Sequence, residues 1–186
     1  SVSLNEITTV AGQKNRTALR YHFGDREGLL QAIIDRHAEP VSTLRRKYRE
    51  QLNADILGAA RSAAQLLIIP LGQYIDDSPE GAYYISILSQ LAALNSEIFN
   101  PSADSRLEIH GEPVLVPLMR DAMAHLKPAE TRRRLFVVLS ITFHGIADVC
   151  RAVRGKEAGR VLRDRDAMLA QVALSIERLL DAPSID

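Results

Sequence analysis

The stretch ITTVAGQKNRTALRYHFGDREGLLQAII, residues 7–34, decides the fold. Two short amphipathic patterns flank Gly12, and a third follows Gly24-Asp25. Ser3 with Glu6 three residues on has capping-box spacing, which predicts a first helix with Leu4, Ile7 and Val10-Ala11 on one face. Gly12 stops it, because glycine accepts the left-handed backbone of a helix C-terminus. A second short helix is predicted from Asn15 to His22, with Ala18, Leu19 and Phe23 turned inward. Gly24-Asp25 then opens a third, whose stripe is Leu29, Leu30, Ile33, Ile34, His37, Val41, Leu44, Tyr48 and Leu52. That stripe crosses Pro40, so one kinked helix or two nearly coaxial ones are expected.

Outward from this stretch the apolar period stays at three and four, never two, and the chain reads as all-α. Helices are expected near residues 55–76, 80–98, 104–125, 129–154 and 160–181. Asp76-Asp77-Ser78-Pro79, Asn100-Pro101-Ser102, Lys127-Pro128 and Gly155 to Gly159 separate them. Ser1-Val2-Ser3-Leu4 enters a helix at once, from which a preceding segment that covers its apolar face is expected. Residues 1–38 form a head and residues 39–186 a body.

The 186 residues are 46% hydrophobic and 25% charged with a net charge of zero, an ordinary globular balance. No stretch approaches ~18 uninterrupted apolar residues, and no signal-peptide pattern opens the sequence. One cysteine, Cys150, excludes an internal disulfide framework and suits a reducing, cytoplasmic compartment. Charge is uneven, however. Lys14, Arg16, Arg20 and Arg26 face only Asp25 between Ala11 and Arg26, a local basic surface.

Two short helices around a glycine turn, the second basic and polar outside, describe a helix-turn-helix. In such a unit the first helix braces on the DNA backbone and the second lies in the major groove, where side chains reach base edges. Gln13, Lys14, Asn15, Arg16, Thr17 and Arg20 are long or hydrogen-bonding groups in that segment. Arg16 or Asn15 is the expected base reader. Tyr21 suits a phosphate contact through its hydroxyl, and Arg26 a phosphate held at a helix N-terminus. His22 and Phe23 are expected to pack the head onto the third helix.

These residues resemble the TetR-type bacterial transcriptional regulators. The likeness rests on Ile7, Ala11-Gly12, Leu19, Tyr21-His22-Phe23, Asp25-Arg26-Glu27 and Leu29-Leu30, some 30 residues in all. The segment carries about one residue more between Ala-Gly and Phe than the family pattern, and the family's first helix is not in this sequence. The rest matches only in the number, length and order of helices. The resemblance implies a homodimer paired through its last two helices, a ligand cavity in the body, and a palindromic operator.

The body carries its own signals. Leu135 to Cys150 is apolar on nearly every side, which calls for neighbours all round. Val161-Leu162, Met168-Leu169, Val172-Ala173, Ile176 and Leu179-Leu180 form a wide stripe in the last helix. Two such helices per subunit make a four-helix bundle. Leu135, Leu139, Ile146, Leu169, Val172 and Ile176 are the expected dimer contacts. Polar groups among apolar ones nominate Tyr84, Gln90, Met119, Phe143 and His144 for a small-molecule cavity, with Ser89 and Ser140 nearby.

No G-x-S-x-G, Gly-rich phosphate loop or H-E-x-x-H occurs, so an enzyme is not expected. Cys150 sits in the most apolar helix, where a thiol is inert. Asp121 and His125 share a face but lack a third ligand, and no metal or cofactor is expected. The chain therefore reads as a DNA-binding regulator, a repressor released by a small-molecule effector, with duplex DNA and a second copy of itself as partners and no membrane. The alternative is a helical ligand-binding or adaptor protein that has lost DNA recognition.

Overall fold

A computed structural model describes residues 3–13, 15, 17–52, 54–94, 107, 113–155 and 159–185. Among the described residues the chain is all-helical, with no strand. The helices are α1 (Leu4–Val10), α2 (Ala18–Phe23), α3 (Arg26–Gln51), α4 (Ala54–Leu57), α5 (Ala59–Asp77), α6 (Gly81–Leu94), α7 (Leu115–Ala122), α8 (Pro128–Arg154) and α9 (Arg165–Asp181). Residues 95–106 and 108–112, over which two of the expected helices extend, lie outside the described residues.

Each boundary has a local cause. Asp25 caps α3 by accepting from the Gly28 amide at 2.9 Å, and Asp164 caps α9 by accepting from Ala167 at 3.1 Å. The last helix consequently starts at Arg165 rather than 160. Val161 and Leu162, assigned to its stripe, are 80% and 47% exposed instead. Gly58, at φ +78°, splits the expected 55–76 helix into α4 and α5. Pro40 leaves α3 unbroken: one helix of 26 residues, about 39 Å long.

The helix surrounded on all sides is α5, which contacts α3, α4, α6, α7, α8 and α9. Its buried residues run from Ser62 through Leu66, Ile68 and Leu71 to Tyr74, so its apolar groups have no outer face to leave bare. α8 buries Val138, Phe143, Ile146 and Val149 against α6 and α9 but exposes Phe136 and Val137. It is the one described helix long and apolar enough to cross a membrane, and 39% of that window is buried.

Two polar devices hold the helices in register. Pro70 has no N–H, so the Leu66 carbonyl four residues earlier loses its helical donor. Arg45 of α3 supplies one, donating from Nε at 3.2 Å. At the other end, Glu130 and Arg134 form a buried ion pair at 2.7 Å. Arg134 donates to the Ala182 and Pro183 carbonyls, and Glu130 accepts from Ser184 Oγ and the Ile185 amide. These bonds, that from Ser184 foremost, hold the Glu130 carboxyl below its ordinary pKa despite burial. The chain end is thereby tied to the start of α8.

Candidate nucleic-acid interface

The first turn of α1 carries both halves of a capping box. The Glu6 amide donates to Ser3 Oγ at 3.2 Å, and the Ser3 amide donates to Glu6 Oε2 at 2.6 Å. The far end closes by a Schellman pattern. Gly12, at φ +65°, donates to the Thr9 carbonyl at 3.1 Å, and Gln13 donates to Thr8 at 3.0 Å. A β-carbon at Gly12 would meet no atom within 4 Å, so backbone conformation alone selects glycine there. Thr8, only 1% exposed, returns its hydroxyl to the Leu4 carbonyl.

The chain then turns into α2 through Asn15. Its Oδ1 accepts from both the amide and the hydroxyl of Thr17, at 3.0 and 2.8 Å. This turn delays the helix, so α2 begins at Ala18 rather than Asn15. One amide oxygen of Asn15 is thus engaged within the turn, which disfavours Asn15 as a base reader. Lys14 and Arg16 lie outside the described residues.

Along α2 the faces separate cleanly. Thr17, Arg20 and Tyr21 lie three and four residues apart and are all exposed, Tyr21 to 86%. Ala18, Leu19 and Phe23 are half-buried. His22, expected to pack, is exposed, its ring edge-on to Tyr21 with centroids 5.3 Å apart. The face of α2 available to a partner therefore carries a guanidinium, a phenol and a hydroxyl. Gln13 and Arg26, at the two ends of this segment, are exposed as well.

The joint between α2 and α3 is tight. Gly24 turns the chain at φ +74°. A β-carbon on Gly28 would overlap the Phe23 carbonyl, so only glycine lets α2 end directly on the first turn of α3. α1 rests on α2, α2 rests on α3, and α3 joins the body through α5 and α6. No known family model matches this chain. No curated protein or solved structure matches it either.

The residues nominated for a body cavity are core or surface residues away from the described grooves. Tyr84 is buried at 6% exposure because it stacks on His37, with centroids 4.5 Å apart. Burial pushes its hydroxyl up to about 12. Met119 and Phe143 are core residues, and His144 meets Ser89 Oγ at 2.6 Å through Nδ1. Gln90 is exposed on the outside of α6. The described grooves flank α5 instead. One of about 450 Å³ lies between α5 and α9, over Ile68, Leu169 and Ala173, with Arg61 and Arg165 among its charged residues. One of about 330 Å³ lies between α3 and α5, lined by Leu44, Lys47, Tyr48, Gln73 and Asp77. None of the five nominated residues lines either groove.

The nominated dimer contacts divide in two. Ile146 and Ile176 are fully buried and Leu169 nearly so by their own chain, so none of the three forms an outer face. Leu135, Leu139 and Val172 are half-buried. The large apolar groups left bare on α8 are Phe136 and Val137, each 41% exposed and in line with half-buried Ser140, Ile141 and His144 on the following turns, and Val153 in the last turn. Val172 packs on Gly145, where an added β-carbon would stand 3.1 Å from its Cγ1. Cys150 is half-buried, and desolvation raises its thiol pKa, which disfavours the nucleophilic thiolate.

Proposed function

We propose that the chain is a homodimeric, sequence-specific DNA-binding transcriptional regulator, a repressor released by a small molecule. Residues 1–38 are its reading head, and residues 39–186 its dimerisation and sensor body. The observation that carries this reading is the exposed Thr17–Arg20–Tyr21 face of α2, fixed by the glycine turn before it and by Gly28 behind it. A helix inserted in a major groove needs such a face: polar, outward, and backed by packing that resists rotation. The TetR-type resemblance of residues 7–30 points the same way.

In this reading α2 enters the groove, while Arg26 meets a phosphate at the positive end of α3. Arg16, Arg20 and Gln13 are the side chains suited to base edges, and Lys14 and Tyr21 those suited to phosphates. α3 is the lever. Two heads on a twofold dimer meet successive major grooves only at one separation, so a small pivot of each α3 abolishes the fit. A small molecule in a groove beside α5 acts to the extent that it binds the two lever positions with different affinity. The dimer face is the Phe136–Val137 side of α8.

The test is fluorescence anisotropy of the chain on mixed-sequence duplex DNA across a salt series. Replacing Lys14, Arg16, Arg20 and Arg26 together by alanine should abolish binding, and the parent should show a steep fall of affinity with salt. Equal affinity of parent and variant would leave the adaptor reading in its place.

A further inference from the structure

α3 is fastened to the body on both sides of Pro40, by different chemistry. Beyond the proline, Arg45 donates to the Leu66 carbonyl and Tyr48 Oη donates to Gln65 Oε1 at 3.4 Å. Before it, towards the head, the polar fastenings are the exposed Arg36–Glu80 ion pair and the buried His37. Its Nδ1 pairs with the Tyr74 hydroxyl, and its ring stacks on Tyr84 with 21° between planes. Tyr74 meets Tyr84 edge-on, which closes a triangle of rings from α3, α5 and α6. The close α5–α6 turn brings these rings together. A β-carbon on Gly81 would lie 2.8 Å from the Tyr74 carbonyl oxygen. Pro40 itself leaves the Arg36 carbonyl without its helical donor, the usual weak point of a helix.

We propose that α3 carries an acid-opened clasp: protonation of His37 releases residues 26–39, with the head, to pivot at Pro40 while residues 41–51 stay fastened. The proposal does not depend on what the head binds. His37 is only 6% exposed, and it is the one group in the triangle that ionises near neutrality. With Tyr74 donating, Nδ1 is the acceptor and the ring hydrogen sits on Nε2. A second proton on the ring removes that acceptor, and the Tyr74 hydroxyl must turn its own hydrogen elsewhere.

The groups facing His37 are few. Tyr74 comes from α5, Tyr84 from α6, and Arg36 is its neighbour on α3. Glu80, just before α6, stands 4.0 Å from Nε2 and also pairs with Arg36 at 3.0 Å. Desolvation by burial, the largest influence, lowers the His37 pKa; Glu80 opposes it and Arg36 adds to it. A histidine held below its solvated value near 6.5 favours the closed clasp above that pH. The advantage is lost as pH falls from 6.5 through the lowered value.

Hydrogen exchange of the free chain, corrected for intrinsic rates, tests this between pH 7.5 and 5.5. Protection of amides 29–39 should fall several-fold as pH drops below 6.5, while amides 42–51 and those of α5 keep theirs. His37→Gln retains an acceptor for Tyr74 and does not titrate, so its protection should be independent of pH. Loss of protection across both halves of α3 together, or pH dependence that survives in His37→Gln, would overturn the clasp. Should that variant fail to fold, the ring proton of His37 is titrated in the parent by NMR. A midpoint clearly below 6.5 supports the clasp, and one at or above 6.5 overturns it.

Discussion

The Arg45–Leu66 contact makes a prediction in which two changes must fail to add. Leu66 is fully buried, and Pro70 denies its carbonyl the amide that an ordinary helix supplies. Arg45→Met keeps an unbranched apolar stem but leaves that carbonyl without a donor. A buried acceptor so orphaned costs about 1–3 kcal/mol, which for a chain of this size lowers Tm by roughly 2 to 12 °C. Pro70→Ala restores a backbone N–H at the right place, so Arg45→Met should cost less than about 0.5 kcal/mol in that background. Urea denaturation of the four chains closes the cycle, with an expected coupling of about 0.5 kcal/mol or more. Equal costs in both backgrounds would show that Arg45 does not serve the carbonyl freed by Pro70, and that α3 is not locked to α5 by this bond.

The bare and buried residues of the last helices should behave differently. Phe136→Glu should reduce the mass seen by light scattering to one chain with helicity intact, whereas Ile176→Ala should cost about 2–5 kcal/mol of stability with the assembly retained. A Phe136→Glu chain of unchanged dimeric mass would take this side of α8 out of the interface. Gly28→Ala should displace α2 from α3 and weaken DNA binding about tenfold or more, while the denaturation midpoint of the body hardly moves; unchanged affinity would show that the α2–α3 joint does not position the reading face. Arg26→Ala should weaken binding to all sequences alike and reduce the slope of log affinity against log salt by about one, and an unchanged slope would place Arg26 away from phosphate.

What was legible in the sequence is what local bonding fixes. Ser3 with Glu6, Gly12, and Gly24-Asp25 each specify a cap or turn within four residues, and all of them form as read. The stripe of α3 likewise buries Ile34, His37 and Val41 as its period demands. Periodicity says that a residue wants cover, but not whose. Ile146 and Ile176 were therefore assigned to a partner although α5, α6, α8 and α9 cover them within one chain. Tyr84 was nominated for a ligand because its partner His37 lies far away in sequence, and the crossing of α3 over α6 that joins them leaves no local mark. Pro70 did carry a readable signal, a mid-helix carbonyl in need of a donor, yet nothing near it names Arg45. Gly58 shows the converse. A single glycine ended a helix that its apolar neighbours would have continued.

The most direct test of the reading head is selection of bound sequences from random duplex DNA by the full chain. A twofold reader with α2 in the major groove predicts enrichment of a palindrome whose half-sites lie about one helical turn, or a multiple of it, apart. That enrichment should disappear when Arg16 and Arg20 are both alanine. A pool that stays random with the parent chain under low salt would contradict the account at its centre.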